Sequence, residues 1–160
     1  MAIKSVREIS FFQTLRDREL KLSFLNSVPE KTNEEIAHFT YYLINMAKEE
    51  LIKLPNSQLM YMEPDCINSL STKLHPESLK NKETINLSVI EIIHLHNLLE
   101  HFENNFDKVK EYTKINNIPH QITAFIVVPA SYFSTISHIK NNLEHKLGES
   151  IVKDYKFKHR

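Results

Sequence analysis

Two pairs of residues have the spacing Glu-x-x-His, which places a carboxylate and an imidazole on the same face of a helix. The pairs are Glu35 with His38 and Glu91 with His94. Carboxylate-bridged di-iron bundles use this spacing together with a lone inward glutamate from each of two other helices. Because Glu and His are also common on amphipathic flanks, we interpret the pairs as flanks and predict no metal site. A metal-dependent helical-bundle enzyme stays open as an alternative.

Three histidines, His94, His96 and His101, lie close together in one predicted helix. His94 and His101 are two turns apart and share a face, whereas His96 lies on another face. The three side chains therefore do not converge on one ion. A zinc site would need further ligands from a second helix, and only the tertiary fold could supply these from His38, His138 or His145.

Cys66 is the only cysteine in the chain and lies in a proline-flanked segment. Nothing adjacent in sequence supplies the cationic setting that activates a thiol. The sequence also lacks a glycine-rich phosphate loop, a G-x-S-x-G motif and a Cys-x-x-Cys pair. We therefore predict no catalytic residue and expect a protein that is not an enzyme.

The charges are balanced, with 20 lysines and arginines against 20 aspartates and glutamates. Such a chain has no strong field to attract a polyanion, so nucleic-acid binding is disfavoured. The longest apolar run, Ala124 to Val128, falls far short of the roughly 20 residues that span a bilayer. With one cysteine and no apolar leader after Met1, we expect a cytoplasmic protein without a membrane span.

Glycine content indicates the fold class. Gly148 is the only glycine in 160 residues, and tight turns and sheet corners commonly need glycine for positive φ. The sequence therefore predicts an all-α protein of about six helices, in one domain that covers residues 1–160. Proline lacks the donor that an interior helical turn requires, so the prolines mark helix stops. They are Pro29, Pro55, Pro64, Pro76, Pro119 and Pro129.

The N-terminal half contains one clear helix. It opens with Pro29, offers Thr32 or Asn33 as N-cap, and has a single apolar stripe. The stripe consists of Ile36, Phe39, Leu43, Ala47, Leu51 and Leu54. The segment before it, Ile3 to Val28, has mixed helical spacing with a break at Arg16–Glu19. The stretch Asn56 to Asn81 predicts short helices and loops.

The C-terminal half has the best periodicity. Apolar residues from Ile85 to Val109 follow alternating steps of three and four, which predicts one helix. After Pro119 a helix reaching Val128 is expected, because a lone strand would leave its backbone groups without partners. The last helix begins at Pro129 and ends at Gly148 as a C′ residue. Its stripe is Tyr132, Ile136, Ile139, Leu143 and Leu147.

The segment His101 to Leu147 resembles the last two helices of globin-coupled sensors and protoglobins. The resemblance rests on a phenylalanine-rich helix end, a long helix with a histidine near its end, and an apolar-Pro-x-x-aromatic step. Here these features are Phe102, Phe106, Tyr112, His120 and the run Val127 to Phe133. The resemblance implies a globin-like domain and a homodimer formed through the last two helices, from Tyr112 to Leu147.

Haem binding depends on a proximal histidine that faces the pocket. Counting back from the last two helices places His96 there, whereas counting forward from His75 places Ser88 there. His96 lies on the flank shared with Glu100 and Glu103, which argues against a haem ligand. The resemblance therefore points to the haem-less branch, the small non-haem globin sensors of spore-forming bacilli. A haem-binding gas sensor with His96, or else His94, as proximal ligand is the alternative.

That branch implies a stand-alone sensor with a fatty acid in an apolar tunnel and, in some cases, a small anion. It also implies inhibition of sporulation by competition with a sensor histidine kinase for its signal. The predicted tunnel residues are Phe39, Leu43, Leu95, Leu99, Phe102 and Phe106. The head-group or anion candidates are His94, His101, His120 and His138. No cofactor is expected, and a helical interaction or immunity-type module without a small ligand is a further alternative.

Overall fold

The computed structural model describes residues 16–23, 32–53, 57, 59, 62–79, 82 and 84–158. Helices make up most of this part of the chain, which confirms the predicted class. Two short strands, seven α-helices and one 3-10 helix follow in order. They are β1 (Glu19–Leu22), α1 (Asn33–Lys53), α2 (Pro64–Lys73), α3 (Pro76–Leu79), β2 (Ile85–Ser88), α4 (Val89–Asn104), α5 (Phe106–Ile115), the 3-10 helix (His120–Ile122), α6 (Thr123–Val127) and α7 (Pro129–Lys158).

The strands β1 and β2 pair antiparallel, with Glu19 opposite Ser88 and Leu22 opposite Ile85. Their side chains alternate, since Ile85 and Leu87 are buried and Asn86 is exposed, which is strand periodicity. The mixed helical spacing of Ile3 to Val28 therefore did not predict β1, which begins at Glu19, where the predicted break ends. The rest of that segment outside 16–23 lies beyond the described residues. The sequence could not show that two distant segments supply each other's ladder.

Helix α4 begins at a capping box. The Ser88 hydroxyl accepts a hydrogen bond from the backbone N–H of Glu91 at 3.2 Å, and Glu91 Oε1 accepts one from Ser88 N–H at 2.8 Å. Such reciprocal bonds satisfy two of the free donors of a helix start. The predicted helix start at Ile85 is thus wrong. The predicted helix is also interrupted at Asn105, after which α5 begins.

The predicted N-cap of helix α1 is confirmed at Thr32. Glu35 N–H donates to Thr32 Oγ1 at 3.1 Å, and Thr32 N–H donates to Glu35 Oε1 at 3.2 Å, so Thr32 is the N-cap. Four residues of the stripe are buried and Leu51 is half-buried, whereas Leu54 and the predicted opening at Pro29 lie outside the described residues.

Proline-led helices account for the middle and the end of the chain. Helices α2 and α3 begin at Pro64 and Pro76, as the prediction of short helices requires. After Pro119 the chain is helical up to Val127, again as predicted. Helix α7 starts at Pro129 but passes through Gly148, where nothing lies within 4 Å of an added Cβ. The predicted end at Gly148 is wrong, because one interior glycine costs a helix only about 1 kcal/mol.

The core lies around α4, which packs against α1, α2 and α7. Phe39 of α1 makes edge-to-face contacts with Phe125 and Tyr132, with ring centroids 5.4 and 5.9 Å apart. The Tyr132 hydroxyl donates to the Phe102 carbonyl at 2.7 Å, so this buried phenol has its partner. Among the described helices, none combines the length and apolar character that crossing a bilayer requires.

Candidate functional site

The six predicted tunnel residues lie in the interior rather than around an open channel. The side chains of Phe39, Leu43, Leu95, Leu99 and Phe102 are buried and pack in one cluster, with half-buried Phe106 against it. Close packing of this kind leaves few voids. An open groove lies beside this cluster, and Phe102 is the predicted tunnel residue that reaches it.

The groove runs between the C-terminal half of α1 and helix α5, with a cavity volume of about 500 Å³. This volume is within the range of small-molecule sites, about 300–1,000 Å³. We call its apolar and aromatic lining side chains the floor and its charged lining side chains the rim. The floor consists of Met46, Phe102, Tyr112 and Ile115, and the rim of Glu49, Glu50, Lys53, Asp107, Lys108 and Glu111.

Glu50 is a buried member of the rim, with its side chain 8% exposed. Its Oε2 accepts a hydrogen bond from the Ser57 hydroxyl at 2.6 Å and lies 2.9 Å from His101 Nε2, and its Oε1 lies 3.5 Å from Lys108 Nζ. Burial lowers the pKa of His101, and Lys108 adds to this while Glu50 opposes it. His101 is therefore neutral near pH 7, with Nε2 beside the Glu50 carboxylate but outside hydrogen-bond geometry.

Two tyrosines contact each other beside the groove. The ring centroids of Tyr42 and Tyr112 are 5.5 Å apart, and the rings meet edge to face. Burial raises the pKa of Tyr42 to about 12 and raises that of Tyr112 further, where a hydrogen bond with Glu49 contributes. Both phenols are thus protonated at neutral pH. Within the described part of the chain, the buried Tyr42 hydroxyl has no hydrogen-bond partner.

A second group of side chains, which we call the Cys66 cluster, consists of Glu63, Cys66 and His94. One donor atom from each lies within 4.8 Å of the others. Glu63 is the N-cap residue of α2, Cys66 lies in the first turn of that helix, and His94 comes from α4. The Cys66 thiol lies 3.6 Å from Glu63 Oε2, and the Glu63 backbone N–H donates to His94 Nε2 at 3.3 Å.

Arg16 covers the outer side of the Cys66 cluster. Its Nη2 lies 2.8 and 2.6 Å from the two carboxylate oxygens of Glu63, and this hydrogen bonding lowers the pKa of Glu63. Burial raises the pKa of the Cys66 thiol to about 11, with a further contribution from Glu63. Burial also lowers the pKa of His94. At neutral pH the cluster therefore contains a thiol, a neutral imidazole and a carboxylate.

No family model, curated protein or solved structure matches this chain. Function is therefore inferred from the geometry of the two sites and from the residues that carry the resemblance.

The Glu-x-x-His pair on α4 is divided between two roles. Glu91 is buried, and its carboxylate accepts hydrogen bonds from Lys73 Nζ at 2.7 Å, from Ser88 N–H at 2.8 Å and from the Ser69 hydroxyl. Burial opposes its ionisation, but these bonds hold the pKa of Glu91 below its usual value. Glu91 thus ties α2 to the start of α4, while His94 belongs to the Cys66 cluster. In the other pair, the Glu35 carboxylate accepts a hydrogen bond from the N–H of Thr32, the N-cap of α1.

The four head-group candidates are not brought together. Among them, His101 adjoins the groove through Glu50, and His94 lies in the Cys66 cluster. His120 is exposed in the 3-10 helix, and His138 Nδ1 lies 2.7 Å from the Ser134 carbonyl on α7. His96, the haem candidate, is half-buried with Nε2 2.7 Å from Glu144 Oε1, so this ring nitrogen is hydrogen-bonded to α7.

Sequence reasoning missed the Cys66 cluster and the rim lysines. Glu63 and Cys66 are three residues apart at the start of a proline-led helix, a spacing that places both on one face. This signal could have linked the two residues. His94 lies 28 residues after Cys66 in the chain. Its approach to Glu63 and Cys66 depends on how α2 packs against α4, and no local sequence signal indicates it.

Proposed function

We propose that this protein is a haem-less sensor domain that binds a fatty acid, with the acyl chain in the groove between α1 and α5. The observation that carries the proposal is the groove itself, an apolar floor of suitable volume ringed by charged groups. Ligand pockets of proteins commonly combine predominantly apolar lining with a few polar groups that fix orientation. The ligand thus lies beside the predicted tunnel residues, with Phe102 common to both.

The head group of such a ligand has two candidate cations at the rim, Lys53 and Lys108. Lys108 Nζ is 3.5 Å from Glu50, and Lys53 Nζ is 3.5 Å from Glu49, and both lysine side chains keep exposed surface on which a ligand carboxylate can bind. The other rim charges are carboxylates, which repel an anion. The acid head group must therefore lie next to one of these two lysines, with the acyl chain directed over Phe102 and Met46.

The output of the sensor follows from the resemblance of His101 to Leu147. We propose that the domain acts alone and inhibits sporulation by competing with a sensor histidine kinase for the shared signal. In that scheme, fatty acid bound in the groove is no longer available to the kinase. The groove is formed in part by α5, which lies inside the segment that carries the resemblance.

A homodimer through Tyr112 to Leu147 is part of the same proposal. Six large apolar side chains are exposed in the described part of the chain, and four of them lie in this segment. They are Ile115, Val127, Val128 and Phe133. Exposed apolar side chains that form a patch are typical of an interaction surface, and we propose that these four contact a second copy of the chain.

Ligand binding is tested by mass spectrometry of solvent-extracted protein, with an absorption spectrum of the same sample. We expect a co-purified fatty acid and no Soret band, and a Soret band would instead establish the haem alternative. Delipidated protein is then titrated with palmitate in a displacement assay. Met46→Trp should weaken binding at least about tenfold by filling the groove, whereas Ile93→Trp, at an exposed site on α4, should not.

The chemistry of the head group is tested with three probes of equal chain length, namely a fatty acid, a fatty alcohol and an alkylammonium. The proposal requires the acid to bind best. If the alkylammonium binds best, the four rim carboxylates recognise the ligand and the fatty-acid assignment is wrong. If none of the three binds, the groove has no acyl ligand and an interaction module without a small ligand becomes the better hypothesis.

The dimer is tested by light scattering on Val127→Asp, with Ile52→Asp as control. Both side chains are mostly exposed, at 62% and 81%, but Ile52 lies outside the proposed interface. We expect a dimer in the wild type and control and a monomer in Val127→Asp.

Inhibition of sporulation is tested by counting heat-resistant spores in a bacillus that expresses the wild type or Met46→Trp. Equal inhibition by both would contradict competition for the ligand.

A further inference from the structure

We propose that Glu63, Cys66 and His94 form a binding site for a divalent metal ion of the zinc class, separate from the groove. A thiolate, an imidazole and a carboxylate are the three ligand types that Zn²⁺ prefers in proteins. The cluster joins ligands from two elements, since Glu63 and Cys66 lie at the start of α2 and His94 lies on α4. Bound metal would therefore tie α2 to α4.

The distances suit a small rearrangement. Tetrahedral zinc with bonds of about 2.0–2.3 Å separates its donor atoms by about 3.4–3.6 Å. The Cys66 sulfur and Glu63 Oε2 are already 3.6 Å apart, and all three donor atoms lie within 4.8 Å of one another. The widest separation thus has to shorten by on the order of 1 Å. Water is expected as the fourth ligand, as in zinc sites with three protein ligands.

Binding exchanges a proton for the metal. The Cys66 S–H bond breaks, the sulfur binds the metal as a thiolate, and the proton passes to solvent. His94 is already neutral and uses its acceptor nitrogen, which gives up the long hydrogen bond from Glu63 N–H. One thiolate and one carboxylate then balance the charge of the divalent ion, so the buried site becomes electrically neutral apart from Arg16.

Arg16 opposes the metal and supplies a diagnostic variant. Its guanidinium is bonded to both oxygens of Glu63, so metal binding requires it to release one of them. Replacing it with a neutral side chain removes both the competition and a nearby positive charge. Arg16→Gln should therefore raise metal affinity, an effect that a purely structural role of the ion pair would not produce.

The site is also distinct from the groove. His94 precedes His101 by seven residues on α4, which is two turns or about 10 Å along the helix axis. None of the three cluster residues lines the groove as far as the structure describes it. Loss of one site therefore leaves the other available for measurement.

The experiment titrates Co²⁺ into delipidated, chelator-treated protein and records the thiolate-to-cobalt charge-transfer band. Because Cys66 is the only cysteine, this band reports on one residue. We expect binding in the wild type, competition by Zn²⁺, and release of about one proton per metal from Cys66 by calorimetry in two buffers. Cys66→Ser should abolish the band, and His94→Gln and Glu63→Gln should weaken binding at least about tenfold each.

Three controls make the result decisive. His96→Gln, a half-buried histidine on the same helix, should leave affinity unchanged, and circular dichroism shows whether each variant folds. Glu63→Gln alters a half-exposed side chain, so it tests the site even if Cys66→Ser fails to fold. The proposal is overturned if the wild type shows no band, or if His94→Gln and Glu63→Gln bind Co²⁺ as tightly as the wild type. Palmitate binding by the same samples shows independently whether the groove functions.

Discussion

His94 and His101 are two buried histidines on one helix, and the comparison between them separates the two candidate sites. Each lies beside a glutamate from another element, Glu63 for His94 and Glu50 for His101. Burial lowers the pKa of both rings. The residue type, the helix and the degree of burial are therefore nearly the same in both places.

The difference lies in the partner carboxylates. The Glu50 side chain is 8% exposed and interacts with Ser57, His101 and Lys108, whereas that of Glu63 is 44% exposed and is bonded to Arg16. The first environment places a carboxylate between a hydroxyl, an imidazole and an ammonium group. The second combines an exchangeable carboxylate with a thiol, which is a set of metal ligands. The neighbours of a buried histidine, rather than its burial, thus decide its chemistry.

The largest expected effect is on stability. His101→Leu removes the ring whose Nε2 lies 2.9 Å from the buried Glu50 carboxylate, and taking a polar neighbour away from a buried charged group costs about 1.5–3 kcal/mol. His94→Leu removes a hydrogen bond from a backbone N–H and should cost about 1 kcal/mol. Urea unfolding with chelator present measures both free energies. If both variants lost the same free energy of unfolding, or His94→Leu lost more, the predicted difference between the two histidines would be wrong.

The second prediction is that the two ligands stabilise the histidine variants differently. At 100 times its dissociation constant, a ligand that binds only the native state adds about 2.7 kcal/mol to the free energy of unfolding. Zn²⁺ should stabilise the wild type and His101→Leu but not His94→Leu. Palmitate should stabilise His94→Leu as much as the wild type. Stabilisation of His94→Leu by Zn²⁺ would show that the ion binds elsewhere.

The third prediction concerns pH. Because burial lowers the folded-state pKa of His94 and His101, the unfolded chain takes up protons first as the pH falls below its histidine pKa of about 6.5. Stability is therefore full above that pH and declines below it, by up to about 1.4 kcal/mol per pH unit for each histidine. Each single Leu variant should lose part of this slope between pH 6.5 and 5. An unchanged slope in both variants would contradict it.

The smallest expected effect sharpens the groove side of the comparison. Lys108→Met removes the rim cation beside Glu50 and should weaken palmitate binding by up to about fivefold, since ion pairs at exposed sites contribute at most about 1 kcal/mol. Lys114→Met makes the same change on α5 at a residue that is not among the groove residues described. A displacement titration measures both. Equal affinities of the two variants would place the head group at Lys53 instead.

Much of the helical framework could be predicted because it depends on local signals. Thr32 caps α1, Pro129 opens α7, and the stripes of both helices are largely buried where described, as periodicity requires. The start of α4 could not, because Ile85 extends the helical stripe of steps of three and four and also alternates with Leu87 as a strand residue does. Only pairing with β1 decides between them, and that pairing is long-range.

The sites were less predictable than the helices for the same reason. The apolar stripe that was expected to surround a tunnel fills the core, because a stripe predicts which face is buried and not whether it encloses space. Cys66 has no activating group beside it in sequence, yet α2 brings Glu63 next to it and α4 brings His94. Convergence of residues from separate elements is a property of the packing, which spacing along the chain does not encode.

The break at Asn105 determines the shape of the groove. With φ of −129° and ψ of 48°, its backbone leaves the helical range, and its side-chain amide donates to the carbonyl of His101 at 2.7 Å. Two torsion angles at this position therefore set the direction in which α5 departs, and with it the aperture between α5 and α1. A single asparagine thus sets the course of α5 beside α1, and its side chain is hydrogen-bonded to the backbone of His101, the residue next to Glu50.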